Sequence, residues 1–354
     1  MDKEILFQNA TDLLVRLIET PRISRNETQA ADLLENVMRN QYLLDIRREG
    51  NNIWTIADDY VEGRKTLLLN AHIDTVKPGD SWTRNPYKAT IENDRIYGLG
   101  SNDDGASLVI LLQVFRLLSE RRRSYNLIFL ASCEEEVSGK MGIEYALTIL
   151  PHIDAAIVGE PTGMQPAIAE KGLMVLDFTA HGRSGHAARD EGDNAIYHAM
   201  DDINWLRSHI FPKVSPMLGP VKMTVTIVNA GTQHNVIPDT CTFTADIRSN
   251  ELYSNTEILD FIKSNVKSQV KARSTRLMSS RIDKSHPIVQ RAIQIGLKPF
   301  GSPTLSDQAL LRCPSIKIGP GQSSRSHTAD EFVCFSEIRQ ALNTYIQLLD
   351  GLDL

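Results

Sequence analysis

Apolar residues recur at steps of three and four over residues 9–17 and 28–38. This spacing predicts amphipathic helices, because positions three and four apart share one helix face. Short apolar segments that predict strands then alternate with further helical stretches. The strands are 52–57, 66–71, 126–131, 155–159 and 315–318, and the helices are 106–118, 142–150 and 287–296. We therefore expect an α/β domain with a mostly parallel sheet flanked by helices.

The pattern is different between residues 173 and 284. Apolar and polar residues alternate there as in half-exposed antiparallel strands. The alternating segments are 173–180, 221–227 and 240–246, with helical spacing over 194–209 and 256–270. This combination predicts a small α+β sandwich, residues 173–284, inserted into an outer domain made of residues 1–172 and 285–354.

Composition excludes some classes of partner. The 38 Lys and Arg against 44 Asp and Glu give the 354-residue chain a net charge of −6, which argues against binding to the phosphate backbone of nucleic acid. The four cysteines are scattered without a Cys-x-x-Cys pair, which argues against a thiolate zinc site and suits a reducing cytosol. The N-terminus lacks the pattern of a signal peptide, and the longest apolar run is too short to span a membrane. We expect a cytoplasmic protein with no nucleic-acid or membrane partner.

Residue types that bind metal ions follow several predicted strands. They are His72 and Asp74, Asp103, Glu134-Glu135-Glu136, Glu160 and, near the C-terminus, His327. Taken singly, a His-x-Asp pair is more often a surface pair, and a glutamate run is more often a solvated helix face. Gly98-x-Gly100 is no dinucleotide loop, since Asp103 stands where the third glycine belongs and would repel a pyrophosphate.

The combination of these residues is harder to explain without a cation. Functional groups gather at the carboxyl ends of parallel strands, so the acids should meet in one crevice, where like charges disfavour each other. We consider two divalent ions held by His72, Asp103, Glu136, Glu160 and His327. The ions carry +4 and the three carboxylates −3, and one bridging hydroxide removes the remaining +1. Such ligands favour zinc, with cobalt or manganese as substitutes, in a hydrolytic site.

Five segments in this order resemble the motifs of a known metallohydrolase family. They are His72-Ile73-Asp74, Gly98 to Asp103, Glu134-Glu135-Glu136, Gly159-Glu160-Pro161-Thr162 and His327-Thr328-Ala329-Asp330-Glu331. The family comprises acetylornithine deacetylases, succinyl-diaminopimelate desuccinylases and carboxypeptidase G. The resemblance covers essentially the whole chain. It implies that the outer domain is catalytic and that the insert is a lid and dimerisation domain.

The resemblance also implies roles for the site residues. Each metal would have its own pair of ligands, and Asp103 would bridge both metals. The pairs are His72 with Glu160 and Glu136 with His327. Asp74 would support His72, and Glu135 would be the general base, although the family pattern Asp-Glu-Glu is here Glu-Glu-Glu.

Residues in and beside the insert also match the family. His186 resembles the histidine that polarises the scissile carbonyl when the lid closes, and Asn235, Arg248 and Lys171 resemble substrate contacts. Without the resemblance, His186 would be a loop histidine, Arg248 a surface ion pair and Asn235 a turn former. Relatives often pair through the insert, so a homodimer is expected, in which His186 and Asn235 could serve the neighbouring subunit's site.

The implied activity is hydrolysis of a small N-acyl amino acid. Among family members the chain resembles the acetylornithine deacetylases of arginine biosynthesis most, with deacylation of acetylcitrulline or of succinylated citrulline or ornithine as close competitors. Succinyl-diaminopimelate desuccinylase, dipeptidase and carboxypeptidase activities stay open, as does a non-catalytic metal-binding scaffold. Gly105 replaces a usual lysine and Thr304-Leu305 replace a usual Gly-Thr, which leaves the acyl and side-chain specificity undecided.

Overall fold

A computed structural model describes residues 1–189 and 191–354. Its helices are α1 (Lys3–Ile18), α2 (Thr28–Asn36), α3 (Ala106–Ser119), α4 (Ile143–Ile149), α5 (Ala195–Ser208), α6 (Asn255–Asn265), α7 (Pro287–Gln294) and α8 (Phe335–Leu349). The first seven strands are β1 (Ile46–Glu49), β2 (Asn52–Ile56), β3 (Thr66–His72), β4 (Thr90–Glu92), β5 (Arg95–Tyr97), β6 (Asn126–Ser132) and β7 (Ala155–Val158). The later strands are β8 (Ala167–Glu170), β9 (Gly172–His181), β10 (Gly185–His186), β11 (Lys222–Ala230), β12 (Val236–Ile237), β13 (Thr240–Ser249), β14 (Gln269–Ala272), β15 (Ser280–Arg281), β16 (Phe300–Ser302), β17 (Ser315–Lys317) and β18 (Phe332–Cys334).

The described chain divides into two compact units. Unit 1 is Met1–Ile168, Ile282–Phe300 and Ser306–Leu354, and unit 2 is Ala169–Arg281 with Gly301–Leu305. The lid and dimerisation roles of the insert, and the domain boundaries drawn from the sequence, stay predictions.

Unit 1 is built on a central sheet in the strand order β1-β2-β6-β3-β7-β17. Strand β3 runs parallel to both β6 and β7, and β17 runs parallel to β7. Every residue of β3 and β6 is buried, as expected for strands covered on both faces. Helix α3, apolar almost all round, packs against these strands and against α1 and α8. The predicted α/β class with a mostly parallel sheet and flanking helices is confirmed.

Unit 2 contains an antiparallel sheet in the order β11-β13-β9-β14. Side chains of β9 and β13 alternate between buried and partly exposed, and the buried ones form a core with α5 and α6. Phe178 and Phe243, opposite each other in register, stack with ring centroids 4.4 Å apart in this core. The opposite face of the sheet therefore carries the partly exposed side chains.

One predicted helix is wrong at its end. The spacing predicts a helix over 256–270, but α6 ends at Asn265, and 269–272 form strand β14 beside β9. Val266 is already extended, with φ −114° and ψ 156°. The apolar residues after Val266 therefore belong to a strand. A short apolar pattern of this kind is compatible with either a helix or a strand. None of the described helices is long and apolar enough to cross a bilayer.

Candidate metal centre

The candidate site in unit 1 lies at the carboxyl ends of three parallel strands. His72 is the last residue of β3, the turn with Glu135 and Glu136 follows β6, and Glu160 follows β7. Since parallel strands end at the same edge of a sheet, the chain order places these side chains together.

The ligand-type side chains form two triads that share one residue. The triads are His72, Asp103 and Glu160, and Asp103, Glu136 and His327, with the donor atoms of each within 4.8 Å of one another. Asp103 Oδ1 is 3.2 Å from His72 Nε2, and Asp103 Oδ2 is 3.7 Å from His327 Nε2. The two oxygens of one carboxylate therefore face different triads.

The charges at the site favour a cation. Burial, and then the neighbouring charge of Asp103, raises the pKa of Glu160 well above its ordinary value. Burial likewise raises the pKa of Glu135, although the nearby His72 opposes this shift. Buried carboxylates that disfavour each other's ionisation, together with two imidazoles, are a donor set that fits divalent metal ions.

The two histidines differ in surroundings. Burial would lower the pKa of His72, but hydrogen bonds with Asp103 and Asp74 raise it well above its ordinary value. A hydrogen bond from His327 Nε2 to Glu136 Oε2, 2.9 Å long, raises the pKa of His327 to about 9. Carboxylates thus raise the pKa of both imidazoles, and a metal ion would compete with protons for the ring nitrogens.

Asp74 contacts more than the neighbouring histidine. His72 Nδ1 lies 3.0 Å from the main-chain oxygen of Asp74 and 3.5 Å from its Oδ1. The Asp74 carboxylate accepts hydrogen bonds from the backbone N–H groups of Glu135 (3.0 Å) and Glu136 (3.1 Å), and from Ser24 Oγ (2.6 Å). It therefore fixes the turn after β6 to the end of β3.

Two further buried residues, which the sequence analysis did not assign to the site, hold the same strand ends. Asp307 Oδ2 accepts hydrogen bonds from Asn70 of β3 (2.8 Å) and Ser132 of β6 (2.7 Å). The guanidinium of Arg22 donates to the main-chain oxygens of Ile73 and Gly100, thereby joining β3 to the loop of Asp103. No spacing in the sequence marks them, because their partners are distant along the chain.

In unit 2, two of the sequence-predicted residues lie together. His186 on β10 pairs in register with Val236 on β12, and the main-chain oxygen of Asn235 accepts from Ala187 N at 3.0 Å. The side chain of His186 is exposed, and its Nδ1 accepts from Ala188 N at 3.1 Å.

The other two predicted substrate contacts belong to a group of cations in unit 2. Arg248 pairs with Asp246, with Nε to Oδ1 at 2.8 Å and Nη2 to Oδ2 at 3.1 Å. Lys171 Nζ donates to the main-chain oxygen of Pro220 at 2.8 Å. Burial, and then the positive charges of Lys222 and Arg248, lowers the pKa of Lys171. Lys222 lies opposite Arg248 in register. The sequence analysis does not include it among the candidate residues, because a single lysine in a strand does not indicate a binding site.

Comparison with known proteins defines the class as metal-dependent hydrolases of amide bonds. The profile of Peptidase family M20/M25/M40 matches residues 68–351. The chain belongs to this family, which confirms the resemblance drawn from the motifs and the expectation of an enzyme.

Individual relatives agree with this assignment. An acetylornithine deacetylase of Proteus mirabilis (strain HI4320) is 25% identical in an alignment that covers 96% of each chain. A tripeptidase of Staphylococcus aureus superposes with a TM-score of 0.78 at 19% identity over 98% of each chain. Bacillus subtilis YXEP, described as a dinuclear metal-binding peptidase, gives a TM-score of 0.71 at 16% identity over 98% of each chain. The structural matches show the shared fold.

Proposed function

We propose that this protein removes the acyl group from a small N-acyl amino acid, with N-acetylornithine as the first candidate substrate and arginine biosynthesis as its setting. The observation that carries the proposal is the double triad around Asp103, whose oxygens face two separate sets of ligands. Relatives named acetylornithine deacetylase, such as the Proteus mirabilis protein that the chain matches over 96% of its length, support the substrate.

The proposed ligands follow the triads. His72 and Glu160 would hold one ion, Glu136 and His327 the other, and Asp103 both. Imidazole and carboxylate donors favour zinc, and cobalt or manganese would also fit. The bound ions would supply Lewis acidity, which polarises the scissile carbonyl and lowers the pKa of water.

Glu135 is the proposed general base. Its Oε2 lies 4.0 Å from His72 Nε2, at the edge of the first triad, and it is not a member of either triad. The Asp74 carboxylate accepts a hydrogen bond from the backbone N–H of Glu135, which fixes the main chain from which the Glu135 side chain extends. Glu135 would take a proton from the attacking water and return it to the leaving amine nitrogen.

Unit 2 would supply substrate recognition. His186 would donate a hydrogen bond to the developing oxyanion, a contribution of about 3 kcal/mol for a well-placed donor. Arg248 would bind the α-carboxylate, with Asn235 and Lys171 as further contacts. Because Asp246 already occupies two N–H groups of Arg248, the nearby Lys171 and Lys222 would add to the attraction for an anion.

A substrate panel tests the proposed activity. Purified, zinc-loaded protein is given N-acetylornithine, N-acetylcitrulline, their succinyl analogues, succinyl-diaminopimelate and a dipeptide, and released acetate, succinate or amino acid is measured. We expect the highest kcat/KM for an acetylated amino acid, and Glu135→Gln should lower kcat by about 10²- to 10⁴-fold with metal content unchanged. A preference for peptides would favour peptidase activity, which the fold shared with the Staphylococcus aureus tripeptidase also allows.

We also propose that the protein is a homodimer that pairs through unit 2. Strand β11 is an edge strand whose residues are mostly exposed, among them Ile227 (49%) and Val228 (55%). An exposed apolar edge offers unpaired backbone groups to a second strand. Sedimentation should show a dimer for the native protein and a monomer for Val228→Lys. A native monomer would contradict the proposal.

A further inference from the structure

Glu331 closes the last of the five motifs but is a member of neither triad. Its side chain is buried, with 2% of the residue exposed. Oε1 accepts hydrogen bonds from the backbone N–H groups of Asn102 (2.8 Å) and Asp103 (2.9 Å), and Oε2 accepts from that of Gly100 (3.0 Å). Three amides of a single loop therefore converge on one carboxylate.

The loop that carries Asp103 cannot satisfy these amides by itself. Gly100 is left-handed, with φ 73°, and Asp103 has the non-helical angles φ −121° and ψ 99°, so the regular helix begins only at Ala106. Buried amides outside regular structure need an acceptor from elsewhere. A carboxylate is the strongest acceptor that a side chain offers to several N–H groups together.

A second set of contacts joins the same loop to the segment before His327. Asn102 Oδ1 accepts from Gln322 N at 2.9 Å, and Asn102 Nδ2 donates to Gln322 O at 3.1 Å. The loop is thus fixed on both sides of His327, at Gln322 and at Glu331. Asp103 Oδ2 and His327 Nε2, which lie on the two segments that these contacts join, are 3.7 Å apart.

We propose that Glu331 is a positioning residue that sets the Asp103 carboxylate for both metal sites at once. The inference rests on the proposed function, in which Asp103 is a ligand of both ions. It predicts a specific pattern of metal-binding loss. A change at Glu160 or at His327 should weaken one site, whereas a change at Glu331 should weaken both.

Zinc titration of the full-length, metal-free protein tests this prediction. In Glu331→Gln one acceptor oxygen becomes an N–H donor that would face backbone N–H groups. We expect both zinc affinities to fall about 10- to 100-fold, the usual effect of losing a partner that orients a ligand. Glu331→Asp keeps the charge and both oxygens and should recover part of the affinity at both sites.

Asp330→Asn is the matched control, since Asp330 is the adjacent residue but binds a different loop. Its Oδ1 accepts from Thr83 N (3.1 Å) and Arg84 N (3.0 Å), and neither residue is a proposed ligand. Both affinities should stay within about twofold of the native values, as for a contact outside the site. Thermal unfolding of each metal-free variant checks that the fold is retained.

The possible outcomes test the role of Glu331 and the proposed function separately. Native protein that binds two zinc ions, with both sites weakened in Glu331→Gln alone, supports the inference. Unchanged binding in Glu331→Gln, weakening of a single site, or equal weakening in Asp330→Asn overturns it and leaves the proposed function standing. Native protein that binds none of zinc, cobalt and manganese overturns the proposed function and this inference with it.

Discussion

The two triads differ in how firmly the chain holds them. In the first, His72 is 2% exposed at the end of a fully buried strand, and Asp74 and Asp103 flank its two ring nitrogens. In the second, the side chain of His327 is 55% exposed, and its backbone is left-handed with φ 59°. The histidine of the first triad is therefore held by a strand of the sheet, whereas that of the second is held by a loop.

Because of this difference, two metal sites that share one ligand can still differ in affinity and in exchange rate. Asp103 gives one oxygen to each triad, but the remaining ligands have different freedom to move. A ligand held by a rigid element loses less entropy on binding than one held by an exposed loop. We expect the first site to bind its ion more tightly and to exchange it more slowly.

The largest effect should come from removing what the two sites share. Asp103→Ala removes both carboxylate oxygens, one from each triad. Both zinc affinities should fall at least about 100-fold and hydrolysis on the order of 10⁴-fold, as for other losses of a whole catalytic unit. Zinc titration and kcat/KM measure these losses. Full occupancy of either site in this variant would show that Asp103 is not shared.

The next prediction separates the two sites by their histidines. His327→Ala should abolish binding at the second site, keep it at the first, and change the free energy of unfolding by less than about 1 kcal/mol, because the side chain is exposed. His72→Ala should abolish binding at the first site and lower the free energy of unfolding by about 3 kcal/mol, since it leaves buried carboxylates without their partner.

Zinc titration and urea unfolding of the metal-free variants measure both differences. Each variant serves as the other's control, as both remove one imidazole. Equal destabilisation by the two substitutions would contradict the contrast between a rigid and an open triad.

The sequence could predict which ligand-type residues come together, because His72, Glu136 and Glu160 lie at or just after the ends of neighbouring parallel strands. It predicts Asp74 as a support of His72, but it could not predict the roles of Glu331 and Asp307. Glu331 acts on the N–H of Asp103, 228 positions away, and the need for that acceptor arises only from the loop's conformation. Asp307 lies close to Thr304-Leu305, the departure from the family pattern that leaves the specificity undecided, but its carboxylate is buried between β3 and β6.

Specificity was harder to predict than chemistry for a related reason. The resemblance implies that Arg248 contacts the substrate, and in the structure its side chain also pairs with Asp246 two residues earlier. Residues two apart on a strand share a face, so this pair could have been anticipated from β13. Lys222 could not, because its register opposite Arg248 depends on how β11 pairs with β13.

The remaining effect concerns Asp307, which is no ligand but joins the ends of β3 and β6 beneath the first triad. Burial raises the pKa of Asp307 from 3.8 to about 6. The folded state therefore holds this proton more tightly than the unfolded chain does. Between about pH 4 and 6 the unfolded chain binds fewer protons at this position, so Asp307 makes stability fall as pH rises, by at most about 3 kcal/mol.

Asp307→Asn removes this titration and keeps a carbonyl oxygen that can accept from Asn70 and Ser132. In the metal-free protein we expect the variant to unfold at higher urea than the native protein at pH 7, and at similar urea near pH 4. Ser132→Ala, which deletes one donor to the same oxygen, should destabilise at pH 7 instead. A pH-independent difference between Asp307→Asn and the native protein would mean that Asp307 is ionised in the folded state as readily as in the unfolded chain. The first triad would then rest on a charged carboxylate.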